Sequence, residues 1–495
     1  SQGEIKTINF LRDKFTEIGL KPGNGDSFFQ PVPLVEITAD PNITLAVDTP
    51  IGKIDLTYGN DMMVWTKRVT DSVALENSEL VFVGYGIVAP EYNWNDYQDL
   101  DVKGKTVVIL VNDPGFATQD DGLFNGNAMT YYGRWTYKYE EAARQGAAGA
   151  IIVHEDAAAG YPWAVVAGSW SGPQFDLVAE DENAARAAVE GWVTADAAKQ
   201  LFSAASMDYE EAKAQALNKA FKATPMAIKA SVAIKNTTRE STSNNVIAIL
   251  PGSARPEETI FYTAHWDHLG KKEGDGDQIF NGAVDNASGT AALLELAEAF
   301  KGLKTPPQRS IVFLAVTAEE SGLLGSRFYG ENPVYPLATT VGAINIDAMN
   351  VLGKTRDITV VGYGSSELEN YLKEGASKQN RVLKPEPTPE KGYFYRSDHF
   401  NFSKRGVPVL YAEGGTDYVD HDAAWGQAQQ NDYTANRYHK PADEYDESWD
   451  LSGVIEDITL YFEIGHQLAN ETHFPNWFEG NEFRQIRDDS RASVQ

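Results

Sequence analysis

The chain has 495 residues, room for two to four domains at a typical ~150 residues each, and 42 Lys and Arg stand against 71 Asp and Glu for a formal net charge of −29. With 42% hydrophobic and 23% charged residues it reads as a globular protein with a large core. The acidic balance disfavours nucleic acid and anionic membrane surfaces as partners, and no apolar run approaches the ~20 residues of a membrane span. Cys is absent, which excludes disulfides, thiolate metal sites and cysteine nucleophiles. The first residue is Ser1 and not Met, which leads to the expectation of a processed, exported chain, periplasmic or secreted.

In chain order, Ile5, Ile8, Leu11, Phe15 and Ile18 make a helical stripe over Glu4 to Ile18 that stops at Gly19. Phe28 to Val47 reads as extended, with Pro31 and Pro33 marking an edge strand. From about Asp71 the texture changes. Glu79 to Val83 and Lys105 to Val111 are strand-like, Lys138 to Gln145 is helix-like, and Gly146 to Gly149 leads into the apolar Ala150 to Val153. An Ala-rich stretch, Asn183 to Ala223, is expected to be helical. His154 is the only histidine of this middle block and reads as structural.

After Val246 the pattern becomes an alternation of strands and helices. Val246 to Leu250, Thr259 to Ala264, Ser310 to Val316, Val341 to Ile346 and Val407 to Tyr411 are near-continuous apolar runs, as strands buried on both faces of a mainly parallel sheet require. Thr290 to Leu303 is an amphipathic helix ending before Pro306 and Pro307. The expectation is an α/β domain with a mostly parallel central sheet covered by helices on both faces. The polar residues from Asn476 onward read as a tail.

In such sheets function gathers beyond the carboxyl ends of the strands. There stand His265-Trp266-Asp267-His268, then Glu319-Glu320, then Asp347, with the polar loop Gly282 to Gly289 around Asp285 between the first two. Imidazole and carboxylate without thiol is a donor set for zinc, with manganese or cobalt as substitutes. Asp267 is placed to accept the second N–H of His265 and fix its tautomer. Glu319 and Glu320 are adjacent, so their side chains diverge: one can bind metal while the other faces the attacking water. His399, His421 and His439 are all available as a second histidine ligand, and His268 reads as a supporting or structural residue.

These motifs, together with Asn345-Ile346-Asp347 and Tyr438-His439, resemble the co-catalytic zinc peptidases, the family of bacterial aminopeptidases, glutamate carboxypeptidase II and the inactive transferrin receptor. The resemblance covers about Val246 to Ala469 with the N-terminal helix and hairpin. It implies one zinc on His265 and Asp347, another on Glu320 and His439, Asp285 bridging through an Asp285–Asn286 cis peptide, Glu319 as general base and Tyr438 at the oxyanion. It also implies catalytic residues 1–70 and 224–475, an inserted protease-associated (PA) domain over 71–223, and a tail over 476–495.

The resulting expectation is a two-zinc aminopeptidase acting on peptides with a free N-terminus, of open oligomeric state. A carboxypeptidase or dipeptidase, which needs an Arg-lined pocket (Arg396 and Arg405 lie near), a glutaminyl cyclase and a receptor-like binding protein are the alternatives.

Overall fold

The computed structural model describes residues 1–494; Gln495, the last residue of the expected tail, lies outside the described residues. The chain forms two compact units, one of Ser1–Val32, Thr242–Pro387 and Arg396–Gln495, the other of Pro33–Ser241 and Thr388–Tyr395. The sequence-based boundaries at 70/71 and 223/224 therefore fall inside the second unit. The cause is strand pairing: the hairpin Thr44–Thr49 and Gly52–Thr57 joins the strand Thr224–Leu250 through Lys229–Asp48 and its neighbours.

In the first unit the sheet is built on four parallel strands in the order Arg309–Val316, Arg255–His265, Thr340–Asn345 and Val409–Gly414. Residues 246–250 pair antiparallel on one side, and Asp357–Val360 antiparallel on the other, itself parallel to Val382–Pro385. Every residue of Arg309–Val316 and Thr340–Asn345 is buried, which is why these segments read as unbroken apolar runs. On one face Ile260 and Tyr262 pack with Leu293, Leu296 and Phe300 of the helix Gly289–Lys301 and with Tyr461 and Ile464 of the helix Ser452–Asn470. Phe261, pointing the other way, packs edge-on against Tyr329 and at a tilt against Phe402. The helix Gln2–Ile18 joins the first face through Ile8, Leu11 and Phe15, opens with a Ser1–Glu4 capping box and closes at Gly19 with φ 88°.

The C-terminal residues are docked rather than frayed. Trp477 is fully buried and its indole N–H donates to the Gly406 carbonyl (3.0 Å). From the helix Arg484–Ala492, Arg487 donates to the Thr340 carbonyl at 2.9 Å and Arg491 to that of Ala338 at 2.8 Å.

The second unit holds its own sheet, with Ser72–Phe82, Thr106–Leu110, Gly149–His154 and Val189–Thr194 parallel in that order and Met62–Trp65 antiparallel at the end. The expectation of one helical stretch over Asn183 to Ala223 is corrected here. Val189–Thr194 is a central strand, and only Ala195–Ala204 and Tyr209–Ala216 are helical. Val189, Trp192 and Val193 bury both faces of a strand, and that packing overrides the helical preference of the surrounding alanines.

Candidate metal centre

Three of the four parallel strands of the first unit end in or run into a side chain of the site: Arg255–His265 into His265, Arg309–Val316 into Glu319 and Glu320, and Thr340–Asn345 into Asp347. Arg255–His265 terminates in His265, which is 1% exposed. Its Nε2 lies 3.2 Å from Asp285 Oδ1 and 3.3 Å from Asp347 Oδ1. The other oxygen of Asp285 lies 3.3 Å from His439 Nε2, which is also 3.1 Å from Glu320 Oε2. One carboxylate thus faces two imidazoles, each with a carboxylate of its own. Donor atoms of His265, Glu319 and Asp347 fall within 4.8 Å of one another, as do those of His268, Asp285 and Glu320.

The chain is held for this by polar anchors. The Asp267 carboxylate accepts the backbone N–H of Glu319 at 3.0 Å and of Glu320 at 3.4 Å, fixing the turn that carries both glutamates. His265 Nδ1 meets the carbonyl of Asp267 at 3.0 Å, whereas the carboxylate is 3.9 Å away. The tautomer role expected of the Asp267 side chain therefore belongs to its backbone. Asp443 does for Asp285 what Asp267 does for the glutamates, accepting the N–H groups of Val284 (3.0 Å) and Asp285 (3.1 Å). Ser397 donates to Asp347 Oδ2 at 2.7 Å and is itself held by Asn345 at 2.9 Å.

The Asp285–Asn286 peptide is cis, as the resemblance implied. Asn286 ties that turn to the sheet, donating to the Ile346 carbonyl at 2.9 Å and accepting from the N–H of Gly289 and Ala348. A side chain at position 289 would meet Asn286 Oδ1 at 2.3 Å, so glycine alone fits this approach. Three non-glycine residues with left-handed backbone sit in the ligand segments: Ala318 (φ 52°) before Glu319, Ala348 (φ 54°) after Asp347, and His439 itself (φ 57°). Such conformations cost about 1 kcal/mol or more each and persist where the surroundings enforce them.

Charge is concentrated here. Burial works hardest on His265 and pulls its pKa down, but Glu319, Asp347 and Asp285 together outweigh it and leave the imidazole well above its ordinary value. His439 follows the same logic: burial is opposed by Asp285 and Glu320, which push it up to about 9. Burial alone would raise Asp285 and Glu320, yet the facing histidines hold both below the usual carboxylate range. Glu319, buried and close to Asp398, Glu320 and Asp347, is driven well above it, and Asp267 is pushed up to about 6, chiefly by burial. One carboxyl is thus kept basic while its neighbour stays an anion.

His268, set aside as a supporting residue by sequence reasoning, lies in the cluster. Its Nδ1 is 2.6 Å from Glu320 Oε1, in a geometry that makes no hydrogen bond, and both atoms are buried. Such orphaned donors and acceptors beside three carboxylates are what a cation would satisfy, so the residues fit a metal centre. The signal was its spacing, three residues after His265. The other candidates go elsewhere. His421 stacks on Trp425 at 3.7 Å, and the His399 ring is buried 5.1 Å from Tyr411. Tyr438 stacks on the His439 ring at 3.9 Å and is 37% exposed.

Sequence comparison agrees with this geometry. Strand-end histidine and carboxylates on a mostly parallel sheet make a donor set that could hold a metal ion. Residues 245–463 match the model of Peptidase family M28. Similar proteins include the mouse (Mus musculus) Aminopeptidase NAALADL1, 34% identical over 128 residues, 25% of this chain and 16% of that one. A "Probable zinc metalloprotease" of Pyrenophora teres f. teres (strain 0-1) is 36% identical over 102 residues, 21% of this chain and 22% of that one. The chain thus spans less than a quarter of the length of these curated relatives. Among solved structures, the aminopeptidase from Aneurinibacillus sp. strain AM-1 aligns with a TM-score of 0.49 at 20% identity, covering 96% of this chain and 90% of that one.

Proposed function

We propose that the protein is a zinc-dependent aminopeptidase that removes residues from the free N-terminus of peptides, using two zinc ions per chain. The observation that carries this reading is Asp285, whose two oxygens face His265 and His439 while Asp347 and Glu320 flank them. His265 with Asp347, and His439 with Glu320, would each hold one ion, with Asp285 between them. Bound zinc at such a centre supplies a water of lowered pKa and an electrophile for the carbonyl.

The protein's own part is proton handling and placement. Glu319, raised in basicity by its burial, takes the proton of the attacking water and returns it to the leaving nitrogen. Asp267 keeps Glu319 and Glu320 on their separate tasks by gripping both amides. Tyr438, whose ring stacks on that of His439, would donate toward the developing oxyanion. The names of the relatives, an aminopeptidase and a zinc metalloprotease, support the same reading. A carboxypeptidase would present guanidinium groups to the substrate's carboxylate; of the two arginines near the site motif, Arg405 faces Glu331 at 3.8 Å and Arg396 acts on Tyr438.

The test is hydrolysis of a dipeptide panel, each member with a free and an N-acetylated amino terminus, with and without chelator. Chelator-sensitive cleavage of the free-amine set alone is expected. Cleavage of the acetylated set, above all with acidic C-terminal residues, would transfer the protein to the carboxypeptidase branch. Metal analysis of the same preparation should return two zinc per chain.

A further inference from the structure

One short segment grips two of the donor-bearing turns of the metal centre. Ser397, 4% exposed, donates to Asp347 Oδ2 at 2.7 Å. Further along, the Asn401 side-chain amide donates to the carbonyl of Leu323 at 3.1 Å and to Ser326 Oγ at 2.9 Å. Between them Asp398, also buried, accepts the Ser326 hydroxyl on Oδ1 at 2.6 Å. The segment is itself tightly turned where it enters the helix His399–Ser403. The N–H of Phe400 donates to the Ser397 carbonyl at 3.1 Å, and that of Asn401 to the Asp398 carbonyl at 3.2 Å.

These contacts lead directly to the proton-handling glutamate. The N–H groups of Gly322 and Leu323 donate to the Glu319 carbonyl at 2.9 and 2.8 Å. Leu323 has left-handed backbone, φ 61°, just before the helix Leu324–Glu331 that carries Ser326. The Asn401 amide therefore stands two hydrogen bonds from the backbone of Glu319. Asp267 holds the N–H side of that turn, and Asn401 holds its far end. Donor atoms of Glu319 and Asp347 fall within 4.8 Å of each other, so the segment that touches both turns governs a short gap. A misplacement of about 1 Å in such a centre can cost ~10²-fold in rate.

We propose that the segment Ser397–Asn401 is a bracket that sets the spacing between Glu319 and Asp347, with Asn401 as the positioning residue at the Glu319 end. This rests on the aminopeptidase reading above, and it adds a residue that the chemistry there does not use. Asn401 acts through Leu323 and takes no part in the proton transfers.

Asn401→Leu removes both donated bonds at nearly constant side-chain size. With metal content confirmed equal to wild type, kcat on leucyl p-nitroanilide should fall ~10- to 100-fold with KM within about two-fold. Wild-type kcat, whatever happens to Tm, would make Asn401 a merely structural residue and overturn the proposal. A bracket also predicts coupling: Ser397→Ala and Asn401→Leu together should cost at least about five-fold less than the product of their separate losses. Losses that simply multiply would sever the two turns and overturn it as well. Ser326→Ala loosens the same end and carries the same expectations should Asn401→Leu fail to fold. Hydrogen exchange over residues 319–325 reads the bracket without turnover, and protection there should drop in either variant; unchanged protection counts against the bracket. If the wild type cleaves nothing, the peptidase reading falls, while the drop in protection still upholds the bracket.

Discussion

Both units of this chain end a buried parallel strand in a histidine, and the two histidines could hardly differ more. His265 closes Arg255–His265 and His154 closes Gly149–His154, exposed by 1% and 3%. Around His265 stand Asp285, Asp347 and Glu319, and its pKa is raised. Around His154 stand the rings of Tyr161, Trp163 and Trp192 at 5.5–5.8 Å with one exposed carboxylate, Asp156, at 3.5 Å, and burial outweighs it and lowers the pKa. A cleft of about 650 Å³ beside it, lined in part by Glu155, Trp163 and Lys213, gathers no metal-capable trio among the described residues. The carboxyl end of a parallel strand is a place where a site can be built. What builds it is the convergence of loops from several strands on one histidine.

The comparison breaks most sharply at Glu319. Glu319→Gln should leave the metal content intact and lower kcat ~10²- to 10⁴-fold, the usual reach of a positioned general base; wild-type turnover would remove Glu319 from the chemistry. Next come the two histidines: elemental analysis should show metal lost from His265→Ala and retained in His154→Ala. Asp267→Asn, which weakens the anionic grip on the two glutamate amides, should lower kcat/KM by ~10- to 100-fold; an unchanged value would mean that the turn holds itself.

The smallest effect concerns pH. The folded protein keeps His154 below its ordinary value of 6.5, so on acidification the unfolded chain takes up that proton first. The stability tied to this group is fully present above 6.5 and is lost as pH falls toward the folded value. Calorimetric Tm of the wild type should therefore drop between about pH 7.5 and 5.5 by more than that of His154→Phe; equal drops in the two proteins would place the acid sensitivity elsewhere.

Much of this was legible in the sequence, for a physical reason in each case. Strands buried on both faces must be apolar throughout, so Ser310 to Val316 and Val341 to Ile346 announced themselves, and the residues after them named the metal donors. Short or half-exposed strands such as Val382–Pro385 carry no such signature. Val189–Thr194 was hidden because strand and helix compete for an Ala-rich context and only tertiary burial decides. At the site, residue types were readable but atoms were not. Nothing in the chain order says that Asp267 turns its carbonyl to His265 and its carboxylate to the glutamate amides.

The docked C-terminal helix has a consequence for anyone handling the protein. Arg487 is buried, its guanidinium held down to about 9 by burial and by Arg491, and it donates to the carbonyl of Thr340, the first residue of the strand that presents Asp347. Trimming the last dozen residues, by a protease or a cloning decision, would strip a clasp from the base of that strand. Damage at the far end of the chain would then surface as a poorly metallated preparation.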